Sequence, residues 1–128
     1  MIAKTFSATV LGIDAHLIEV EVDVTVGMSV FNIVGLPDGP IKESRDRVLS
    51  AVNNSGFSFP VRRVVVNLAP APLRKIGSGF DLPIALALLG TMGLFPPENL
   101  SRAMVVGELS LDGEIRPVRG ILPVAVAT

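Results

Sequence analysis

The first part of the chain alternates. Ile18, Val20, Val22 and Val24 are separated by Glu19, Glu21 and Asp23, and Phe6, Ala8 and Val10 by Ser7 and Thr9. A period of two predicts strands with one face buried and one wet, here with Phe6, Ala8 and Val10 turned inward. Gly12-Ile13-Asp14-Ala15 reads as the hairpin turn between them, and Val30 to Val34 as a third strand, giving an antiparallel start. The spacing then becomes helical: Ile41, Val48, Ala51 and Val52 share one face, and Lys42, Glu43, Asp46 and Arg47 another. Asp38 or Gly39 is placed to cap this helix with Pro40 in its first turn, and Glu43–Arg47 and Lys42–Asp46 are i,i+4 pairs. Val61 to Leu68 predicts another strand and Asp81 to Leu89 a second helix. Ala103 to Leu109 and Glu114 to Val118 predict two strands around an Asp112-Gly113 turn. From Arg119 onward the pattern opens a third helix that reaches no C-terminal cap, which predicts one α+β domain, 1–128, belonging to a longer chain.

Composition narrows the interior. Of 128 residues 49% are hydrophobic, yet there are six Phe and no Tyr, Trp or Cys, so aliphatic side chains must fill the core. A chain of this length buries roughly two-thirds of its unfolded surface. The lack of Cys removes disulfides, thiolate nucleophiles and Cys-based zinc sites and fits a reducing, cytoplasmic setting. The start shows no signal-peptide pattern, and the uncharged stretch Leu82 to Pro97 falls short of the roughly 20 residues of a spanning helix, so no membrane partner is expected. A net charge of −1 gives no bulk argument for nucleic acid. Arg62, Arg63, Arg74, Arg116 and Arg119 are the candidates for a basic patch, though with no Tyr or Trp to stack on bases they read more simply as solvated surface.

Complete catalytic constellations are missing. No Gly-x-x-x-x-Gly-Lys-Ser/Thr is present, so no loop of that kind wraps a nucleotide triphosphate. The single histidine, His16, sits at a predicted turn without partners for a metal. Glu19, Glu21 and Asp23, and separately Glu108, Asp112 and Glu114, read as wet faces rather than cation sites. The most site-like segment runs from Arg74 to Asp81. Gly77 and Gly79 free the backbone just before a helix, a setting that can take an anion or an oxyanion, and Ser78 would be a nucleophile if a base lay within reach. The plainer reading is a helix entry capped by Asp81 or Ser78. Lys75, Gly77, Ser78, Gly79 and Asp81 are therefore taken as a candidate contact loop, with no catalytic and no metal-binding residue assigned.

Three blocks carry a resemblance: Val34-Gly35-Leu36-Pro37-Asp38 with Lys42 to Val48, Val66 to Ala71 leading to Phe80-Asp81-Leu82-Pro83-Ile84-Ala85, and Gly107 to Gly113 with Arg116 to Gly120. Together they resemble the N-terminal domain of the magnesium-chelatase-like AAA+ ATPases, the YifB/ComM family. Pro72 and Ile76 depart from it, standing where acidic residues are common. The resemblance implies the ribosomal S5 domain 2-like fold, as in the Lon proteolytic domain and the RadA C-terminal domain. It also implies an accessory domain without a cofactor of its own, in a parent that binds ATP and Mg²⁺ through a downstream AAA+ module. That parent would form homo-oligomers and act on DNA as a hexameric helicase promoting branch migration in natural transformation. The partners implied are the rest of its own chain, further copies and DNA. Aligned with Lon-type peptidases, the Ser and Lys of the catalytic dyad fall on Gly79 and Leu122, which supply neither nucleophile nor base. A divergent peptidase using Ser78, and a DNA-binding module using the arginines above with Lys75, are the alternatives.

Overall fold

In the computed structural model, which describes residues 1–11, 13–58 and 62–117, four strands form one mixed sheet. They are β1 (Ile2–Leu11), β2 (Asp14–Thr25), β3 (Val30–Val34) and β4 (Arg63–Ala69), arranged β1-β2-β4-β3. Two helical segments, α1 (Gly39–Lys42) and α2 (Ser44–Asn54), carry the chain from β3 to β4. A loop then leads into α3 (Asp81–Thr91), followed by a 3-10 turn, Pro97–Arg102. A short hairpin of β5 (Glu108–Leu109) and β6 (Ile115–Arg116) completes the described chain. The molecule is α+β, as the patterning predicts.

The placement of β3 differs from the predicted antiparallel start. β1–β2 and β2–β4 pair antiparallel, but β3 lies beyond β4 and pairs with it in parallel. A parallel pair needs a crossover connection, which α1 and α2 provide. The alternation of β2 is confirmed: Ile18, Val20 and Val22 are fully buried, and so are Val64, Val66 and Leu68 of β4, which pair with Val24, Val22 and Val20. Val48 of α2 and Ile84 and Leu88 of α3 belong to the same core. Burying each of these side chains contributes roughly 1.5–3 kcal/mol.

β1 buries mainly the face opposite to the predicted one, although Ala8 of the predicted face is buried as well. Ala3, Thr5, Ser7 and Thr9 are buried, while Phe6 and Val10 are only partly covered. The register decides this: Ala3, Thr5 and Ser7 sit opposite Val22, Val20 and Ile18, so the strongly apolar face of β2 fixes which side of β1 points inward. The two threonine hydroxyls are used. Thr5 Oγ1 donates to the Pro83 carbonyl at 2.9 Å, and Thr9 Oγ1 accepts from the Ile76 amide at 3.0 Å.

Other predicted boundaries shift for local reasons. The first helix breaks at Glu43, and Asp38 Oδ1 caps its opening segment by accepting from Ile41 N at 3.0 Å. Most of the predicted strand Ala103 to Leu109 is irregular. Met104 makes an isolated bridge with Phe6, and Val105 N donates to Phe6 O at 2.7 Å. α3 contains Leu, Ile, Ala and Gly almost throughout, and such a helix is stable only when covered on most sides. Among the described residues no helix is long and apolar enough to cross a membrane. The predicted helix from Arg119 lies outside the described residues.

Candidate functional site

The Gly-rich segment from Lys75 to Asp81 bridges four parts of the fold. At its start Lys75 N donates to Leu36 O at 3.1 Å and Asp38 N donates to Lys75 O at 3.2 Å, a two-way backbone link to the turn before α1. Asp38 Oδ2 then accepts from Gly77 N at 2.9 Å, so one carboxylate caps α1 and holds this loop. The Thr9 bond to Ile76 ties the loop to β1. At its end Gly107 N donates to Gly79 O at 2.9 Å, and Leu82 N donates back to Gly107 O at 3.0 Å.

These bonds decide what the helix entry can do. An anion site at a helix N-terminus depends on amides that have no partner of their own. Here Asp81 N donates to the Ser78 carbonyl, Leu82 N to Gly107 O, Ile84 N to Phe80 O, and Pro83 has no N–H. Each amide of the first turn is therefore occupied or absent. The predicted cap also takes another form: Phe80 is the N-cap residue, and no side chain caps the helix.

Asp81 turns away from the helix entry to anchor a buried polar cluster. Its carboxylate is fully buried and accepts from Ser44 Oγ at 2.5 Å, Arg47 Nε at 2.6 Å, Arg47 Nη2 at 3.1 Å and Leu109 N at 3.1 Å. One side chain of α3 thereby fastens both α2 and β5. Arg47 adds a bond to the Pro40 carbonyl at 2.6 Å, and the Asp81 bonds hold its guanidinium above its already high ordinary pKa. The predicted Glu43–Arg47 surface pair gives way to this inward contact. Sequence reasoning missed Ser44 and Arg47 as Asp81 partners. The signal available was spacing, since Ser44, Arg47, Val48 and Ala51 share one helical side.

Lys75 is buried completely, and its Nζ donates to the Pro70 carbonyl at 2.5 Å. None of the described ion pairs includes it. Burial without a compensating carboxylate lowers its pKa below the ordinary 10.5. The folded state then binds fewer protons than the unfolded state between that depressed value and 10.5. Stability from this group is full above 10.5 and is lost as pH falls through the folded value. The urea midpoint of the wild type is accordingly expected to gain on that of Lys75→Met as pH rises toward 10.5, and parallel profiles would exclude the effect.

The remaining candidates are dispersed. Arg62 and Arg63 are exposed at the start of β4, whereas Arg74 is exposed in the loop that follows its other end. Arg116 is exposed on β6, and Arg119 lies outside the described residues. Lys4 Nζ lies 2.9 Å from Glu19 and 3.6 Å from Glu21, so part of the acidic row is internally balanced. His16 is exposed on β2 rather than in a turn. Among the described residues no cluster of three or more His, Asp or Glu side chains is arranged to hold a metal. An apolar cavity of about 130 Å³ lies between α2, α3 and the β5–β6 hairpin, with Phe57, Leu82, Leu86, Leu89 and Ile115 among its walls and no titratable group among its described lining.

Residues 20–128 match the family described as subunit ChlI of Mg-chelatase. The chain is 40% identical over 126 residues to the competence protein ComM of Haemophilus influenzae, covering 98% of this chain and 25% of that protein. It is 45% identical over 112 residues to YifB of Escherichia coli, covering 88% of this chain and 22% of that protein. A Mycobacterium tuberculosis protein, Rv2897c, is 45% identical over 126 residues, again 98% of this chain and 25% of the relative. The chain thus spans about a quarter of the length of the curated relatives it matches.

Proposed function

The chain belongs to the family of subunit ChlI of Mg-chelatase, and we propose that it serves there as a non-catalytic accessory domain of a larger AAA+ ATPase. In this reading the α+β arrangement is the ribosomal S5 domain 2-like fold, and the Gly-rich segment is a structural joint. The observation that carries it is the occupied helix entry: a peptidase of the Lon type needs an open oxyanion site beside its nucleophile. Here the Asp81, Leu82 and Ile84 amides, in the first turn of α3, are bonded to the Ser78, Gly107 and Phe80 carbonyls. Lys75, the base nearest in sequence to Ser78, has its amine on the Pro70 carbonyl.

ATP and Mg²⁺ belong in this reading to the rest of the full-length protein. The chain has no Gly-x-x-x-x-Gly-Lys-Ser/Thr loop, and the Gly-rich entry to α3 has no free first-turn amide, so no nucleotide step is assigned to its residues. The competence name of the Haemophilus relative favours a DNA substrate for the whole machine, a hexameric helicase promoting branch migration, over metal insertion. The domain's part is assembly or placement of that machine in the cytoplasm. The test uses the full-length protein: Mg²⁺-dependent ATP hydrolysis stimulated by branched DNA is expected, unchanged in Ser78→Ala. Labelling by a fluorophosphonate probe that disappears in Ser78→Ala would overturn the non-catalytic assignment.

A further inference from the structure

Between its ends α3 has no polar side chain to turn toward water. Ile84 and Leu88 are fully buried in the sheet core, whereas Leu82, Leu86 and Leu89, spaced i, i+4 and i+7, are only half-buried. This second stripe forms a wall of the apolar cavity between α2, α3 and the β5–β6 hairpin. Phe57 and Ile115, 39% and 60% exposed, line the same cavity. Its volume of about 130 Å³ suits one branched aliphatic side chain, since an apolar cavity of about 150 Å³ takes a molecule the size of benzene. The hairpin on its far side is short, with two residues in each strand. A two-stranded hairpin is marginal unless something packs against it.

The sequence supplies such a side chain close by. Ile115 is followed by Arg116 and Pro117, where the described residues end, then by Val118-Arg119 and the stretch Gly120-Ile121-Leu122-Pro123-Val124-Ala125-Val126-Ala127. From Gly120 to Ala127 no side chain is charged or forms hydrogen bonds, and the described lining of the cavity holds no titratable group. We propose that residues 120–127 dock in this cavity, led by Ile121 and Leu122, their two largest side chains, and so latch the β5–β6 hairpin onto α2 and α3. The chain from Ile115 to Ile121 reaches at most roughly 20 Å when extended, ample for a return to the wall that Ile115 helps to form. Pro117 and Gly120 suit the reversal. A second copy of the chain is the poorer occupant, because a seat for one side chain is far short of the about 1,200–2,000 Å² that stable interfaces between separate proteins bury. A segment a few residues further along the same chain needs only a short loop closure. The proposal is independent of the activity of the full-length protein.

The test places the photoreactive residue p-benzoylphenylalanine at position 57 of the full-length protein. Cross-links to residues 120–127 of the same polypeptide, retained on dilution, are expected. Cross-links to any other segment, cross-links between polypeptides that are lost on dilution, or no cross-link at all, would overturn the proposal. The double variant Ile121→Asn with Leu122→Asn provides the second arm, since it alters the segment and leaves every described residue in place. It is expected to abolish the cross-link and to accelerate amide exchange in the β5–β6 hairpin by about tenfold or more, with exchange in β2 and β4 unchanged. A persisting cross-link or unchanged hairpin exchange would show that the segment is not the latch. Acceleration spread equally over β2 and β4 would make the pair part of the sheet core and equally overturn the docking.

Discussion

Replacing Asp81 with alanine is expected to remove about 3–5 kcal/mol of folding stability, the cost of breaking a buried ion pair by deleting one partner. That is a large share of the roughly 5–15 kcal/mol that holds a domain together. The carboxylate accepts four hydrogen bonds from α2 and β5, and its removal strands Arg47 at 18% side-chain exposure together with the Ser44 hydroxyl and the Leu109 amide. The penalty comes mainly from those orphaned donors, which distinguishes it from a simple cavity. Arg47→Met on top of Asp81→Ala is therefore expected to recover part of the loss, since it takes away the unpaired charge. Urea unfolding of the wild type, the two single variants and the double variant forms a double-mutant cycle. A loss below about 1 kcal/mol for Asp81→Ala would show that the cluster contributes only as surface pairs do.

The same cluster marks the limit of what was legible in the sequence. Local periodicity found β2 and β3, the helical stretch after Asp38 and the apolar helix after Phe80, because each of these is decided by neighbours within a few residues. The inward face of β1 was not legible. Phe6, Ala8 and Val10 look more apolar than Thr5, Ser7 and Thr9, yet pairing with β2 overrides that preference. The parallel seat of β3 was hidden as well, because strand order depends on pairing between segments far apart in the chain. Asp81 is a similar case: an acid at the mouth of an otherwise uncharged helix suits a cap, and only the fold reveals partners on α2 and β5. Lys75 read as a surface cation beside Arg74, but the loop folds it inside against the Pro70 carbonyl.

Gly35→Ala should be the second most damaging of these substitutions, at about 3 kcal/mol, because two separate costs fall on one added methyl group. Its φ of +104° lies where L side chains are strained, and the new Cβ would press into the Leu68 carbonyl oxygen of the central strand β4. Neither can relax without moving the backbone link between Leu36 and Lys75, so the damage should spread into the Gly-rich segment. Gly77 isolates the first cost. It has a similar φ of +98°, but a Cβ at that position would meet nothing within 4 Å, so Gly77→Ala should cost only about 1–2 kcal/mol. The difference between the two midpoints in urea then measures the steric part alone. Equal losses would mean that backbone strain, not the close approach of Gly35 to β4, requires glycine at the turn after β3.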